Sequence, residues 1–272
     1  MTPDVSVVVV SYETRDDLAA CLASLADAGG PGLETIVVDN ASTDGSADMV
    51  ARDFPAVRLV RSARNEGFGA ACNRGASVAT GAYLLFLNSD AQVTPGAVAA
   101  LARVLDTQPD VAIVGPRTLN EDGSAQVSFG PALTPLAEWR QRRLVRGVAR
   151  RDPDALRIAH ERSLVAGAPD WVSGSCLMIR RRAFDAVAGF DEDFFLYEED
   201  VDLCVRVRAQ GGSVRFEPAA TVVHRLGRSM ARVPDRARAE YDRSHLRYYR
   251  KHNGALATLV LRAAIVLRSL LR

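Results

Sequence analysis

Five short runs rich in β-branched residues lie between Val5 and Pro116, and longer segments of helical periodicity separate them. This alternation is typical of a parallel sheet covered by helices. The predicted strands are Val5–Val10, Glu34–Asp39, Val57–Arg61, Tyr83–Asn88 and Val111–Gly115. The predicted helices are Asp16–Ala28, Ser46–Asp53, Gly69–Thr80 and Pro95–Gln108, the last with Thr94 as its N-cap. Residues 1–117 are therefore expected to form a Rossmann-like α/β layer.

The second half of the chain is less regular. Between Leu119 and about Asp170 the periodicity weakens, which indicates a flexible or helical insertion. Arginines crowd together there, at Arg140, Arg142, Arg143, Arg146, Arg150 and Arg151. Regular structure is expected again at Trp171–Arg180, followed by helices at Arg182–Ala188 and Asp200–Gln210 and short strands at Val214–Phe216 and Thr221–His224.

Composition excludes several classes of protein. The chain has 272 residues, of which 48% are hydrophobic and 25% charged, as in ordinary folded proteins, and its net charge of +1 predicts no nucleic-acid partner. Its four cysteines form no C-x-x-C pair, which favours a reducing, cytoplasmic compartment. The apolar run Val5–Val10 is too short for a signal peptide, and no run of about 20 apolar residues predicts a membrane span.

The tail from Ala255 to Arg272 is apolar but is broken by arginines. One interpretation is a basic amphipathic helix that lies on the inner face of the cell membrane. The other is a helix packed on the domain's own core or on a second subunit, which would make a homodimer. Both interpretations stay open on sequence grounds.

Polar residues close three of the predicted strands, as Ser11-Tyr12, Asp39-Asn40 and Asn88-Ser89-Asp90. Ligands of open α/β sheets bind beyond the carboxyl ends of the strands, so these residues are candidates for binding. Asp39 at a strand end is suited to accept a hydrogen bond from a nucleobase imide. Capping of the following helix explains the polar residues 42–44 without any ligand.

Asn88-Ser89-Asp90 ends the most apolar strand, where a carboxylate needs a cation or a capping role. Mg²⁺ or Mn²⁺ suits the site, because such ions take one or two carboxylates together with phosphate oxygens. His224, at the end of a short apolar strand, is a candidate to complete the cation site or to contact a diphosphate. A local turn at Asp90 and a structural role for His224 remain the alternatives.

Paired glycines in the segment 64–73 precede a predicted helix. Backbone amides and the positive helix end would face a phosphate there. The fingerprint G-x-G-x-x-G is not met, because position 72 is a cysteine, and a tight loop is the alternative.

Glu198-Glu199-Asp200-Val201-Asp202 places four carboxylates in five residues, directly after the apolar stretch Phe194–Tyr197. Their mutual repulsion must be offset by a helix dipole, a metal or an arginine. The apolar stretch is expected to hold the acids at a pocket rim, where one carboxylate would have the raised pKa of a useful base. A solvated helix N-terminus is the alternative.

Taken in this order, the clusters resemble family 2 glycosyltransferases, and among them the bacterial rhamnosyltransferases. The resemblance covers roughly residues 5–229. It is carried by Val7–Tyr12, Val37–Ser46, Asn65–Gly69, Leu87–Asp90 and Gly189–Cys204.

The resemblance implies a GT-A fold, with a nucleotide-sugar-binding half (1–117), an acceptor and catalytic half (118–229) and a helical tail (230–272). It implies an inverting transfer to a glycan or lipid-linked hydroxyl, with dTDP-rhamnose as donor and Asp200 as base. The donor residues would be Ser11, Tyr12, Asp39, Arg64, Asn65, Asn88, Ser89 and Asp90. Trp171, Gly174, Ser175 and Glu199 would line the acceptor side, and Asp90 and His224 would hold Mg²⁺ or Mn²⁺.

Asn88 departs from the family's stricter D-x-D pattern and leaves one carboxylate fewer for a cation. Two alternatives follow. The chain would bind nucleotide sugars as a catalytically weak scaffold, or it would use another donor, such as a UDP-hexose or UDP-galactofuranose. A nucleotidyltransferase is disfavoured, because Ser11-Tyr12-Glu13-Thr14 is not a glycine-rich phosphate loop.

Overall fold

An eight-stranded sheet forms the centre of the molecule in the computed structural model, which describes residues 4–28, 32–225 and 234–270. The strands are β1 Val5–Ser11, β2 Leu33–Asp39, β3 Arg58–Arg61, β4 Tyr83–Asn88, β5 Ala91–Val93, β6 Val111–Leu119, β7 Phe129–Gly130, β8 Trp171–Val172, β9 Cys176–Arg180 and β10 Ser213–His224. The helices are α1 Arg15–Ala28, α2 Ser46–Asp53, α3 Phe68–Val78, α4 Ala97–Thr107, α5 Pro135–Ala149, α6 Pro153–Ser163, α7 Arg181–Ala186, α8 Glu199–Ala209, α9 Pro234–His252 and α10 Gly254–Leu270.

The strand order is β3-β2-β1-β4-β9-β6-β10-β5, and β7 pairs with β8 in a separate ribbon. In the eight-stranded sheet, β9 runs antiparallel to β4 and β6, and β5 runs antiparallel to β10, whereas the other neighbouring strands are parallel. The predicted mostly parallel sheet with a helical C-terminal tail is therefore confirmed.

Alternation along β1 explains why helices cover both faces of the sheet. Val7 and Val9 belong to one buried cluster, whereas Val8 and Val10 belong to another. Successive strand side chains point to opposite faces, so a strand that is apolar at every position needs cover on both sides. Helices α1 and α4 supply one cover, and α3 and α8 supply the other.

The predicted start of the fourth helix is wrong. Helix α4 begins at Ala97, after Gly96 in the left-handed conformation with φ 79°, and no side chain caps it. The Thr94 hydroxyl donates instead to the Thr221 carbonyl at 2.9 Å, so the neighbouring strand has taken the group that was expected to cap. Strand β5, just before this turn, was not predicted.

Other differences concern the second half of the chain. The arginine-rich insertion is helical, as α5 and α6. The two predicted short strands after residue 213 form the single strand β10, whose register shifts between Glu217 and Thr221. Among the helices that the structure describes, none has the length and hydropathy needed to cross a membrane. The predicted boundary at 229/230 lies outside the described residues.

Candidate active site

The three polar strand ends lie side by side. In the sheet Ser11 is the register partner of Asp39, and Val10 is that of Asn88. Thr14, which the sequence analysis did not single out, connects them: its hydroxyl lies 3.1 Å from Ser11 Oγ and 2.8 Å from Ser89 Oγ. The carboxyl edge of β1, β2 and β4 is thus one continuous polar cleft.

Asp39 is buried at the bottom of this cleft with one carboxylate oxygen unsatisfied. Its Oδ2 accepts from the Ser42 amide at 3.3 Å, whereas Oδ1 is buried and has no hydrogen-bond partner among the described residues. Burial raises the pKa of Asp39. A buried acceptor without a donor is costly, so the site is complementary to a ligand N–H group. Tyr12, which was assigned to the donor together with Asp39, is not buried and has 38% of its surface exposed.

Asn40, one of the polar residues that close the second predicted strand, fixes the loop that carries Asn65. Its Nδ2 donates to Asn65 Oδ1 at 2.9 Å, and its Oδ1 accepts from the Glu66 amide at 3.1 Å. The Arg64 side chain is 83% exposed, and its Nε lies 3.7 Å from Glu66 Oε1. Asn65 is therefore held by the cleft wall, whereas Arg64 projects into solvent.

Asp90 and His224 come together because β5 pairs with β10, which places His224 opposite Ala91. His224 Nε2 lies 3.2 Å from Asp90 Oδ1 and 3.3 Å from Asn88 Nδ2. Both Asp90 and His224 are buried. The structure thus joins the two residues that the sequence analysis assigned to a cation.

Gln126 sets the tautomer of this imidazole. Its Nε2 donates to the His224 carbonyl at 2.7 Å and to Asn120 Oδ1 at 2.8 Å, which fixes the orientation of the amide. Gln126 Oε1 therefore faces His224 Nδ1, at 3.1 Å, and Nδ1 carries the proton. Nε2 is then the unprotonated nitrogen, with Asn88 Nδ2 and Asp90 Oδ1 beside it, and an unprotonated ring nitrogen is what a metal ligand needs.

The donor set fits a cation only in part. Within the part of the chain that the structure describes, no three His, Cys, Asp or Glu side chains converge on a metal-binding position. Asp90 and His224 supply one carboxylate oxygen and one imidazole lone pair, and two such acceptors 3.2 Å apart attract positive charge between them. A magnesium-type ion commonly takes its remaining ligands from water and substrate phosphates.

Asp200 lies in the first turn of α8, facing the loop 173–175. Its Oδ2 accepts from the Gly174 amide at 2.6 Å, and its Oδ1 accepts from the Val201 amide at 2.8 Å. Burial raises the pKa of Asp200 to about 6, although these two amides oppose the shift. A Cβ atom on Gly174 would lie only 3.1 Å from the Asp200 Cβ, so glycine permits the close approach.

Glu199 points elsewhere. Its Cβ lies against α3, near Gly69, and its carboxyl group is close enough to the Cys72 thiol to affect that thiol's pKa. Burial, and then the neighbouring Asp200, raise the pKa of Glu199 well above its usual value. The structure does not bring Glu199 together with the other residues assigned to the acceptor side.

The loop 173–175 links the two halves of the site. The Ser175 carbonyl accepts from the Asn88 amide at 2.9 Å, while Gly174 holds Asp200. Trp171, two residues before this loop, donates from Nε1 to the Pro131 carbonyl at 2.8 Å. A cavity of about 630 Å³ lies beside the loop, and Ser173 and His224 both line it. The cavity thus extends from Ser173 of this loop to His224.

Comparisons with known proteins indicate the family of the chain. The model of the family described as glycosyl transferase family 2 matches residues 6–187. An N-acetylglucosaminyl-diphospho-decaprenol L-rhamnosyltransferase of Mycobacterium tuberculosis is 32% identical over 285 aligned positions, which cover 99% of this chain and 92% of the relative. A pre-mycofactocin glycosyltransferase of the same organism is 30% identical and covers 81% of this chain and 42% of its own length.

Solved structures share the fold. The mannosyltransferase PcManGT from Pyrobaculum calidifontis, in complex with GDP-Man and Mn²⁺, superimposes with a TM-score of 0.63 at 19% identity, over 97% of this chain and 69% of its own. GalNAc-T7 with UDP, GalNAc and Mn²⁺ gives a TM-score of 0.59 at 18% identity, over 81% and 42% of the two chains.

Proposed function

Because the chain belongs to glycosyl transferase family 2, we propose that it is an inverting glycosyltransferase that moves rhamnose from dTDP-rhamnose to a glycan or lipid-linked hydroxyl. One observation carries the proposal: the loop 173–175 binds Asn88 through the Ser175 carbonyl and Asp200 through the Gly174 amide, at 2.9 and 2.6 Å. This connection supports a single cleft in which a base faces the leaving-group side of the donor.

In the proposed reaction, Asp200 accepts the proton of the acceptor hydroxyl as that oxygen bonds to the anomeric carbon. The bond between this carbon and the phosphate oxygen breaks, and the nucleoside diphosphate leaves on the opposite face with the bonding electrons. A base with a pKa of about 6 suits the step, because it is ionised at neutral pH and still basic enough to take the proton. Two backbone amides fix the direction of the carboxylate.

The unsatisfied Oδ1 of Asp39 supports a nucleotide with an imide N–H, which uracil and thymine both have. Tyr12, Ser11 and Asn65 are the proposed neighbours of the base and ribose, and Arg64 and Ser89 those of the phosphates. The choice of rhamnose rests on similarity to the M. tuberculosis rhamnosyltransferase. UDP-hexoses and UDP-galactofuranose are the competing donors.

A divalent cation, Mg²⁺ or Mn²⁺, would be held by Asp90 Oδ1 and His224 Nε2 and would stabilise charge on the leaving diphosphate. Both solved structures compared above contain Mn²⁺. Gln126 keeps the imidazole lone pair directed to the site, and Asn88 stands beside it where a second carboxylate would otherwise be. Cation affinity is therefore proposed to depend on the donor's phosphates.

The proposal is tested by the thermal shift that nucleotide sugars produce with Mg²⁺ or Mn²⁺. A ligand that binds only the native state stabilises it by about 2.7 kcal/mol at 100 times its Kd. The expected result is a rise in Tm with dTDP-rhamnose that disappears in Asp90→Ala and weakens in Asp39→Asn. Asp48→Asn, at a side chain that is 78% exposed, is the matched control and keeps the shift.

Three results would change this conclusion. A shift with UDP-hexose or UDP-galactofuranose alone would replace the donor. A rise in Tm that persists in Asp90→Ala without any cation would show that donor binding needs no metal. Binding of dTDP-rhamnose without turnover on any acceptor would favour the scaffold.

The acceptor is proposed to be lipid-linked, with the protein bound peripherally at the inner face of the membrane. Three arginines of α5, namely Arg140, Arg143 and Arg146, are exposed, and so is Arg150 directly after the helix. Arg142 is not part of this surface, because it turns inward and forms an ion pair with Glu138. On α10 the side chains of Leu256, Leu259 and Val260 are 77%, 64% and 61% exposed. Exposed leucines beside arginines are suited to an anionic lipid surface.

A further inference from the structure

Helix α9 packs directly against the acidic run that carries the proposed base. The Ser244 hydroxyl donates to the Leu196 carbonyl at 2.7 Å. His245 binds Glu198, and Lys251 and His252 both contact Asp202 Oδ1, each at 2.7 Å. Contacts with α9 therefore lie on both sides of Asp200 in the sequence.

His245 is the most deeply buried of these contacts, at 1% exposed. Its Nδ1 lies 2.9 Å from Glu198 Oε1, and its Nε2 lies 2.9 Å from Glu138 Oε1 on α5. Burial lowers the pKa of His245, but the hydrogen bonds to these two carboxylates raise it to about 9. The imidazole is therefore a cation at neutral pH, and it joins three elements of the structure: α5, α9 and the segment before α8.

The other groups around His245 are consistent with a buried, charged node. Arg142 of α5 pairs with Glu138, and its Nη2 also lies 3.0 Å from His245 Nε2. The hydroxyl of Tyr249 donates to Glu138 as well. The ring of Tyr241 stacks on the imidazole with a centroid distance of 5.4 Å. Leaving any one of these buried charges without its partner would be strongly unfavourable.

The segment that His245 holds is strained. Tyr197 and Glu198 have φ values of 70° and 68°, and neither is a glycine. A residue other than glycine is strained in this left-handed region, and such strain persists only where surrounding contacts enforce it. Glu198 immediately precedes the first turn of α8, so its backbone sets the direction in which that turn, and Asp200 within it, begins.

We propose that His245 is a positioning residue for the base: by holding Glu198 it keeps the strained turn closed and directs Asp200 at the acceptor hydroxyl. This inference rests on the proposed role of Asp200. Within the described part of the chain His245 binds Glu198 and not Asp200, so it acts on the base through Glu198.

A matched pair of substitutions separates this role from simple packing. In His245→Asn the amide nitrogen takes the place of Nδ1 and keeps the bond to Glu198. In His245→Gln the amide nitrogen reaches the place of Nε2 and keeps the bond to Glu138 instead. Both variants lose the charge, and they differ in which carboxylate stays bound.

We expect kcat to fall about 10–100-fold in His245→Gln, as a small misplacement of a catalytic group does. In His245→Asn it should stay within about threefold of wild type, and the donor KM should stay within about twofold in both. Ser244→Ala, a mild change that preserves folding, should lower kcat about 3–10-fold through Leu196. Arg243→Gln, on the same helix at a side chain that is 69% exposed, is the control and keeps kcat.

Amide hydrogen exchange of residues 196–204 gives a readout that needs no turnover. Exchange should be faster in His245→Gln than in His245→Asn and wild type. Equal kcat and equal exchange in the two His245 variants would overturn the proposal. If Asp200→Asn stays active, the proposed base is wrong; if Asp200→Asn is inactive while His245→Gln matches wild type, only the role of His245 is wrong.

Discussion

Glu199 and Asp200 are adjacent carboxyl groups whose surroundings differ. Asp200 accepts two backbone N–H bonds, which favour its charged form and limit its pKa to about 6. Glu199 is buried against α3, and its Oε2 has no hydrogen-bond partner among the described residues, so its pKa is raised further. At neutral pH Asp200 is ionised, whereas Glu199 keeps its proton up to a higher pH. This difference makes Asp200 the better base of the pair.

The pH dependence of turnover follows from this assignment. Asp200 is active as the carboxylate, so kcat should be level above pH 7 and fall about tenfold per unit below pH 6. The stability effect has the opposite sign. A pKa raised above the usual 3.8 contributes stability below about pH 4, and this contribution is lost as the pH rises through 6.

Acid inactivation through Asp200 is therefore not acid unfolding. The measurement is a pH–kcat profile with Tm recorded at each pH. A kcat that stays level from pH 7 down to pH 5, or one that falls only where Tm also falls, would count against the assignment.

Helix α10 has two different faces. Ala257 and Leu261 pack on the cluster around Phe194 and Tyr248, and Arg268 Nη2 binds Asp242 Oδ1 at 2.5 Å. The opposite face exposes leucines and valines to solvent. A group of exposed apolar side chains is typical of a surface that contacts a membrane or another protein. Packing on the protein's own core, one of the two interpretations from the sequence, is thus observed for one face only.

Replacing exposed leucines of α10 should weaken binding to membranes without unfolding the helix. We expect Leu256→Gln, Leu259→Gln and Leu267→Gln, combined, to reduce sedimentation with anionic vesicles at least about tenfold, since each leucine loses roughly 1.5–3 kcal/mol of burial. Deletion of residues 255–272 should do the same. Ala255→Gln, on the same helix, is the control.

Unchanged sedimentation in both the substituted and the truncated protein would remove the membrane interpretation. A loss of dimer mass in the same variants, with vesicle binding absent from the start, would assign the exposed face to a second copy of the chain.

Elements with a clear local pattern were predicted, whereas features that depend on short segments or long-range contacts were not. The runs that became β1, β2 and β4 are continuous and apolar, and each ends in polar residues, so both the strands and their functional ends were readable. Strand β5 has three residues, too few for a pattern. The Thr94 cap failed because Thr221, a residue 127 positions away, captured its hydroxyl.

The residues that support the site could not be identified from the sequence, because their partners lie far away in the chain. Gln126 lies 98 positions from His224, and His245 lies 47 positions from Glu198. Neither belongs to a motif, and each acts through a partner that only the fold identifies. The residues that end strands and begin helices could therefore be predicted from the sequence, whereas the residues that orient their side chains could not.

At the scale of the whole molecule, four free cysteines are distributed through the core. Cys21, Cys72, Cys176 and Cys204 are all buried and unpaired, and burial raises the pKa of each thiol. Thiols without thiolate character react slowly and do not form disulfides. The fold is thus held by its core rather than by disulfide cross-links.

Thiol titration tests this property directly. Native protein should release almost no thionitrobenzoate from Ellman's reagent, unfolded protein should release about four equivalents, and Tm should be the same with and without reductant. Rapid reaction of a cysteine in the native state would show that its position in the core is wrong.

The central claim is that Asp200 is the base of a sugar transfer, and Asp200→Asn tests it most directly. General-base catalysis contributes about 10²–10⁴ in rate, so kcat should fall by that factor. The Kd for the nucleotide sugar should stay within about threefold of wild type, because the proposed role of Asp200 is to deprotonate the acceptor and not to bind the donor. A variant that retains more than about a tenth of wild-type kcat, with donor binding unchanged, would contradict the claim.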